Sequence, residues 1–107
     1  MSESDIQTAI RVRLGAEPDV MLMRNAIGAP LFAAHYGLPK GSADLVGLIA
    51  PSGRFFALEV KTSTGRVRPE QVRWLAVVRR FGGFGCVVRS VDEAVAALAR
   101  ARRGESE

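Results

Sequence analysis

Two short runs of branched and aromatic residues, Asp44 to Ala50 and Phe55 to Lys61, flank the segment Pro51-Ser52-Gly53-Arg54. Apolar runs of this length around a proline–glycine turn signal predict a β-hairpin. This hairpin constrains the chain most, because its charges sit at the ends remote from the turn. Asp44 opens the first strand, and Glu59 and Lys61 close the second.

Side chains alternate along a strand, so Glu59 and Lys61 share one face while Leu58 and Val60 share the other. A two-residue turn at Pro51-Ser52 would place Asp44 opposite Glu59. A four-residue turn, Pro51 to Arg54, would place it opposite Lys61. In both registers the three charged groups share a face. A turn of odd length would separate Asp44 from the other two.

The remaining elements follow from periodicity and capping. Ile6, Ala9, Ile10 and Leu14 recur at helical spacing over Glu3 to Leu14, with Ser2 or Ser4 as N-cap. Val20 to Met23 reads as a strand. The segment from Gly28 to Gly41 is long for a connection. Pro69 fits the first position of a helix to about Arg80, whose apolar set is Val72, Leu75, Ala76 and Val78, with Trp74 beside it. Gly82-Gly83 ends that helix, and Phe84 to Val88 reads as a fourth strand. Ser90-Val91-Asp92-Glu93 is a capping box for a last helix carrying Ala94, Val95, Leu98 and Ala101. The tail from Arg102 is polar and is expected to fray. The order is α-β-β-β-α-β-α, an α/β chain with three antiparallel strands and a fourth reached through a helical crossover, parallel to the third.

The 107 residues suit one domain, residues 1–107, and suffice for a core without disulfides. Hydrophobic residues make up 48% and charged residues 24%, which argues against disorder. Cys86, the one cysteine, lies in an apolar run and reads as a buried thiol. No apolar run approaches the length of a membrane span. The acidic start lacks the features of a secretory signal, so a cytoplasmic location is expected. The net charge of +4 tilts modestly toward a polyanionic partner.

Two carboxylates held close repel unless a cation sits between them. Oxygen ligation suits a hard ion, Mg²⁺ with Mn²⁺ as substitute, and the carbonyl of Val60 would be a third ligand. Such a metal would activate water and stabilise charge on a scissile phosphate, and Lys61 would orient that water or neutralise the developing charge. The bland alternative is a surface ion pair on a half-exposed hairpin. An isolated Glu-x-Lys on a strand recurs by chance, but the paired aspartate after a Gly-Ser loop strengthens the signal.

Several stretches now read together: Glu3, Arg24-Asn25-Ala26-Ile27-Gly28, Lys40-Gly41-Ser42-Ala43-Asp44-Leu45-Val46-Gly47, Leu58-Glu59-Val60-Lys61-Thr62, Gly65-Arg66, Pro69-Glu70-Gln71, Trp74-Leu75 and Val87-Val88-Arg89-Ser90. In order and spacing the chain resembles the VRR-NUC family of the PD-(D/E)xK nuclease superfamily. Ala43 stands where the superfamily's name would place proline.

The resemblance implies a restriction-endonuclease-like α-β-β-β-α-β core, a mixed sheet flanked by helices, with the last helix added. It implies Asp44 and Glu59 as metal ligands, Lys61 as the catalytic lysine and Gln71 as a helix residue facing the site. It also assigns Glu3 a part in holding metal or water. Small stand-alone members resemble homodimers acting on branched DNA, including four-way junctions. The expectation is therefore a Mg²⁺-dependent DNA endonuclease serving repair or recombination.

Each supporting residue also has a plainer reading. Glu3 shares a helical face with Ile6 and Ile10, yet a first-turn acid is favoured by the helix dipole alone. Gln71, in line with Leu75 and Val78, could simply satisfy first-turn backbone donors. Arg24, Lys40, Ser42, Arg66 and Arg68 are candidate phosphate contacts, whereas Arg73, Arg79 and Arg80 read as a solvated helix face. His35 reads as structural, Phe32 or Tyr36 as a stacking platform for an unpaired base, and Trp74 as core or dimer contact. The competing functions are cleavage of flaps, nicked duplex or RNA, a DNA-binding module without cleavage, and a structural subunit of a larger complex.

Overall fold

The computed structural model describes residues 1–25 and 38–107. Phe32, His35 and Tyr36 lie outside the described residues.

Helix α1 spans Glu3–Gly15. Its N-cap is Ser2, whose hydroxyl accepts from the Asp5 N–H at 3.1 Å while Asp5 accepts from the Ser2 N–H at 2.9 Å. This reciprocal pair satisfies two donors that a helix start otherwise leaves open. Ile6, Ile10 and Leu14 form its buried stripe. The chain continues through β1 (Val20–Arg24), β2 (Leu45–Ile49), β3 (Arg54–Val60), α2 (Pro69–Arg80), β4 (Phe84–Val88) and α3 (Val91–Arg102). The strands stand in the order β1-β2-β3-β4. β2 runs antiparallel to both β1 and β3, and β4 runs parallel to β3. The α/β architecture expected from the sequence is therefore present.

Leu45 pairs with Leu58 and Ile49 with Arg54. The connection is the four residues 50–53, closed by the Gly53 N–H on the Ile49 carbonyl at 3.0 Å. It begins one residue earlier than the four-residue turn considered above. The register is consequently that of the two-residue alternative, and continuing it outward brings Asp44 opposite Glu59.

Helices cover both faces of the sheet. On one, α1 and α3 pack over Leu45, Ile49, Phe56, Leu58, Val60, Phe84, Cys86 and Val88. Phe56 and Phe84 stack there, ring centres 5.4 Å apart. On the other, α2 lays Leu75 and Val78 over Val46 and Ala57, and Trp74 meets Phe55 edge-on at 6.1 Å. Glycine is required at position 47, where a Cβ would fall 1.9 Å from the Met21 carbonyl oxygen. Any side chain there would push β1 off the sheet.

Three expectations are corrected. The buried stripe of α2 is Gln71, Leu75 and Val78, whereas Val72 is 53% exposed and Ala76 is also on the outside. The helix is rotated because the stripe begins at a polar residue, which an apolar count passes over. Arg79 does not belong to a solvated face: its Nε donates to the Gly85 carbonyl at 2.8 Å and pairs with Glu107 at 3.0 Å. The tail, expected to fray, makes hydrogen bonds back to the sheet and to α3. The Ser106 carbonyl accepts from the Gly85 N–H at 3.0 Å, and the Glu107 carbonyl accepts from Arg100 at 3.2 Å. Among the described residues, no helix is long and apolar enough to cross a membrane.

Candidate active site

The site forms where β2 begins and β3 ends. Asp44 immediately precedes β2, at the end of a braced loop. Asn25, just past β1, donates from Nδ2 to the Ser42 hydroxyl at 2.8 Å and to the Ala43 carbonyl at 3.0 Å. Its backbone N–H donates to the Asp44 carbonyl at 2.8 Å. Gly41 sits at φ +92°, and a Cβ there would lie 2.7 Å from the Glu70 carbonyl oxygen. Glycine thus supplies the left-handed backbone and lets this loop close onto the first turn of α2.

Asp44 Oδ2 accepts from the Val60 N–H at 2.8 Å. In an extended strand the N–H and C=O of one residue point to the same side. The Val60 carbonyl is therefore directed toward the Asp44 side of β3, while the next N–H, that of Lys61, donates to Val88 across the other edge at 3.0 Å.

Glu59 is only 1% exposed. Its Oε1 accepts from Gln71 Nε2 at 2.7 Å, and Lys61 Nζ stands 3.8 Å from the same oxygen. Oε2 has no hydrogen-bond partner among the described residues. A buried carboxylate with an orphaned oxygen is costly. Burial pushes the Glu59 carboxyl up to about 8, the nearby Asp44 carboxyl pushes the same way, Lys61 opposes them, and Glu3 adds a smaller upward push. With both acids ionised the site would carry one negative charge too many, which either a proton on Glu59 or a bound cation would offset.

The donor set fits a hard divalent ion. Two carboxylates converge, one with a free oxygen, and a backbone carbonyl faces the same side. Among the described residues no group of three or more His, Cys, Asp or Glu side chains gathers as a ready metal cage.

Gln71 combines both roles considered for it. Its Oε1 accepts from the Arg68 N–H at 2.8 Å, as a first-turn residue would, and its Nε2 holds Glu59. Lys61 is buried beside Glu59, 7% exposed. Glu3, half-buried on α1, is near enough to act on the Glu59 charge.

The expected phosphate contacts divide. Lys40, Arg66 and Arg68 are exposed, with Arg68 Nε 3.3 Å from Glu70. Arg24 is exposed but pairs with Leu45, which directs it to the α1 face of the sheet. Ser42 is corrected: it is 2% exposed, and its hydroxyl donates to the Pro39 carbonyl at 2.6 Å while accepting from Asn25. It braces the loop and is closed to a ligand. Sequence reasoning did not single out Asn25 or Arg89, although both stand in the stretches that carry the family resemblance. Arg89 Nη1 donates to the carbonyls of Thr62 at 2.7 Å and Gly65 at 2.8 Å.

A four-stranded mixed sheet between helices, with two acids and a lysine where two strands meet the first turn of a helix, is the restriction-endonuclease-like α/β arrangement. The family profile of the VRR-NUC domain matches residues 11–92 of the 107. The chain belongs to the VRR-NUC family, which makes it a nuclease domain with DNA as substrate. Glu3 lies before the matched span. No curated protein matches the chain.

Proposed function

We propose that this protein is a Mg²⁺-dependent DNA endonuclease, with Mn²⁺ able to substitute, whose residues 1–107 act as one nuclease domain. The observation that carries the reading is the buried Glu59 carboxylate, orphaned at Oε2 and pressed against Asp44. Such a pair costs stability, and a metal site gives it a purpose.

Asp44, Glu59 and the Val60 carbonyl hold the ion, with Glu3 close by. When bound, the ion supplies Lewis acidity to the scissile phosphate and makes water more acidic. Gln71 fixes one Glu59 oxygen, leaving Oε2 as the oxygen that would ligate a cation. Lys61, shielded from solvent, sets its ammonium against charge developing on phosphate oxygens. Arg66, Arg68 and Lys40 contact flanking phosphates.

The preferred substrate in this reading is branched DNA such as a four-way junction, cut by a homodimer in repair or recombination in the cytoplasm. Two sites related by a two-fold axis would address both strands of a junction. Support for association comes from exposed apolar residues on the α2 face of the sheet, Met21 and Met23 on β1 and Leu48 on β2.

The test is a panel of end-labelled linear duplex, single strand, flap, fork and four-way junction, incubated with Mg²⁺, Mn²⁺ or chelator. Metal-dependent cutting strongest on the junction is expected. Tight binding without cutting on any form would favour a binding module. A sedimentation mass of one chain at micromolar concentration would exclude the dimer.

A further inference from the structure

We infer that Arg89 is a positioning residue for the reaction, acting through the loop that joins Lys61 to Gln71. The inference rests on the nuclease reading above for its catalytic consequence, though not for its geometry. The loop leaves β3 at Lys61 and enters α2 after Arg68, so it connects the site lysine, the exposed Arg66 and Arg68, and the glutamine that holds Glu59. Within it the Gly65 N–H donates to the Thr62 carbonyl at 3.2 Å, a single turn that would be weak alone.

One nitrogen of Arg89 closes that turn from outside, donating to both Thr62 and Gly65 carbonyls at 2.7 and 2.8 Å. Charge-assisted hydrogen bonds of this length are stronger than neutral ones. Glycine at 65 permits the fold, since a Cβ there would lie 3.1 Å from the Thr62 hydroxyl and 3.4 Å from the Lys61 Cβ.

Arg89 is itself held. Its backbone N–H donates to Glu93 Oε1 at 3.0 Å, and the Glu93 N–H donates to the Ser90 hydroxyl at 3.1 Å. The first turn of α3, through Glu93 and its Ser90 cap, thereby holds the Arg89 backbone, the guanidinium braces the turn, and the turn sets the path between Lys61 and Gln71. The matched family span ends at residue 92 and takes in Arg89.

Arg89→Met keeps the bulk of the stem and removes the donors, while Arg89→Lys restores a nitrogen able to donate twice. With Mg²⁺ and junction DNA, Arg89→Met should lower kcat roughly 10–100-fold, the cost of a misplaced catalytic group, with KM changed little. Arg89→Lys should recover much of the loss. Hydrogen exchange, which does not depend on cutting, should show faster exchange at the Gly65 amide in Arg89→Met and unchanged protection in the α1–sheet core. Wild-type kcat in Arg89→Met, or lowered kcat with unchanged exchange at Gly65, would overturn the inference. If the wild-type protein cuts no DNA form, the nuclease reading fails and the catalytic consequence fails with it, while the exchange comparison still decides whether Arg89 orders the turn.

Discussion

Gln71 reaches from the first turn of α2 to Glu59 on β3, donating a buried 2.7 Å hydrogen bond while its own oxygen caps the Arg68 N–H. One amide thus ties the helix start to the acid of the site. Gln71→Leu leaves the buried Glu59 oxygen unpaired, at a cost of roughly 1–3 kcal/mol, and frees the Arg68 N–H, which water can reach. Urea denaturation should show that loss, and cutting should fall at least tenfold. Unchanged cutting in a folded Gln71→Leu protein would refute its role at the site.

The acids and the lysine should separate cleavage from binding. Asp44→Ala, Glu59→Gln and Lys61→Ala should each abolish metal-dependent cutting while most DNA affinity remains. Calorimetry with Mg²⁺ alone should lose its signal in the two acid variants and keep it in Lys61→Ala. Persistent cleavage by Asp44→Ala would sink the mechanism.

Glu59 also predicts a pH dependence. Its carboxyl ionises at about 8 in the fold, raised chiefly by burial, against 4.5 for an unperturbed glutamate. Between those values the folded chain holds a proton that the unfolded chain has released. The metal-free protein should therefore lose stability as pH rises through this window, by on the order of a few kcal/mol, and Glu59→Gln should flatten the slope. Mg²⁺ must displace the proton, so its affinity should climb with pH up to about 8 and binding should release protons. A metal-free stability that rises between pH 5 and 8, with the same slope in Glu59→Gln, would contradict this.

The exposed cations should act through phosphates alone. Arg66→Ala and Lys40→Ala should each weaken DNA binding evenly across sequences and reduce the salt-dependence slope by about 1. Ser42→Ala should leave that slope unchanged and lower stability by about 1 kcal/mol, because its hydroxyl braces the loop. A reduced slope in Ser42→Ala would return it to the interface.

Gly41→Ala probes the junction between that loop and α2. The substitution meets the Glu70 carbonyl and a left-handed backbone together, at a cost of about 1–3 kcal/mol. A Tm equal to wild type would show that the loop does not close as described.

Much of this was legible beforehand because strand parity is unforgiving. Any even-length turn puts Asp44, Glu59 and Lys61 on one face, and the observed connection of residues 50–53 obeys that rule. The parallel placement of β4 followed from the helix before it. The face of α2 was misread because its buried stripe starts at Gln71, and a polar residue buried for its hydrogen bonds leaves no apolar signature. Ser42, Asn25 and Arg89 were illegible for a related reason. Their partners are backbone carbonyls or side chains brought near by the fold, and residue type alone does not say whether a hydroxyl or guanidinium faces a ligand or its own chain.

The tail beyond α3 has a consequence for solubility. Among the described residues β4 is an outer strand, and an open strand edge recruits other chains. The Ser106 carbonyl occupies the Gly85 N–H and Glu107 anchors to Arg79, so the last residues act as a built-in edge guard. Removing them would present Gly85 as a docking point for a neighbouring molecule's strand, and self-association should appear before any loss of the fold.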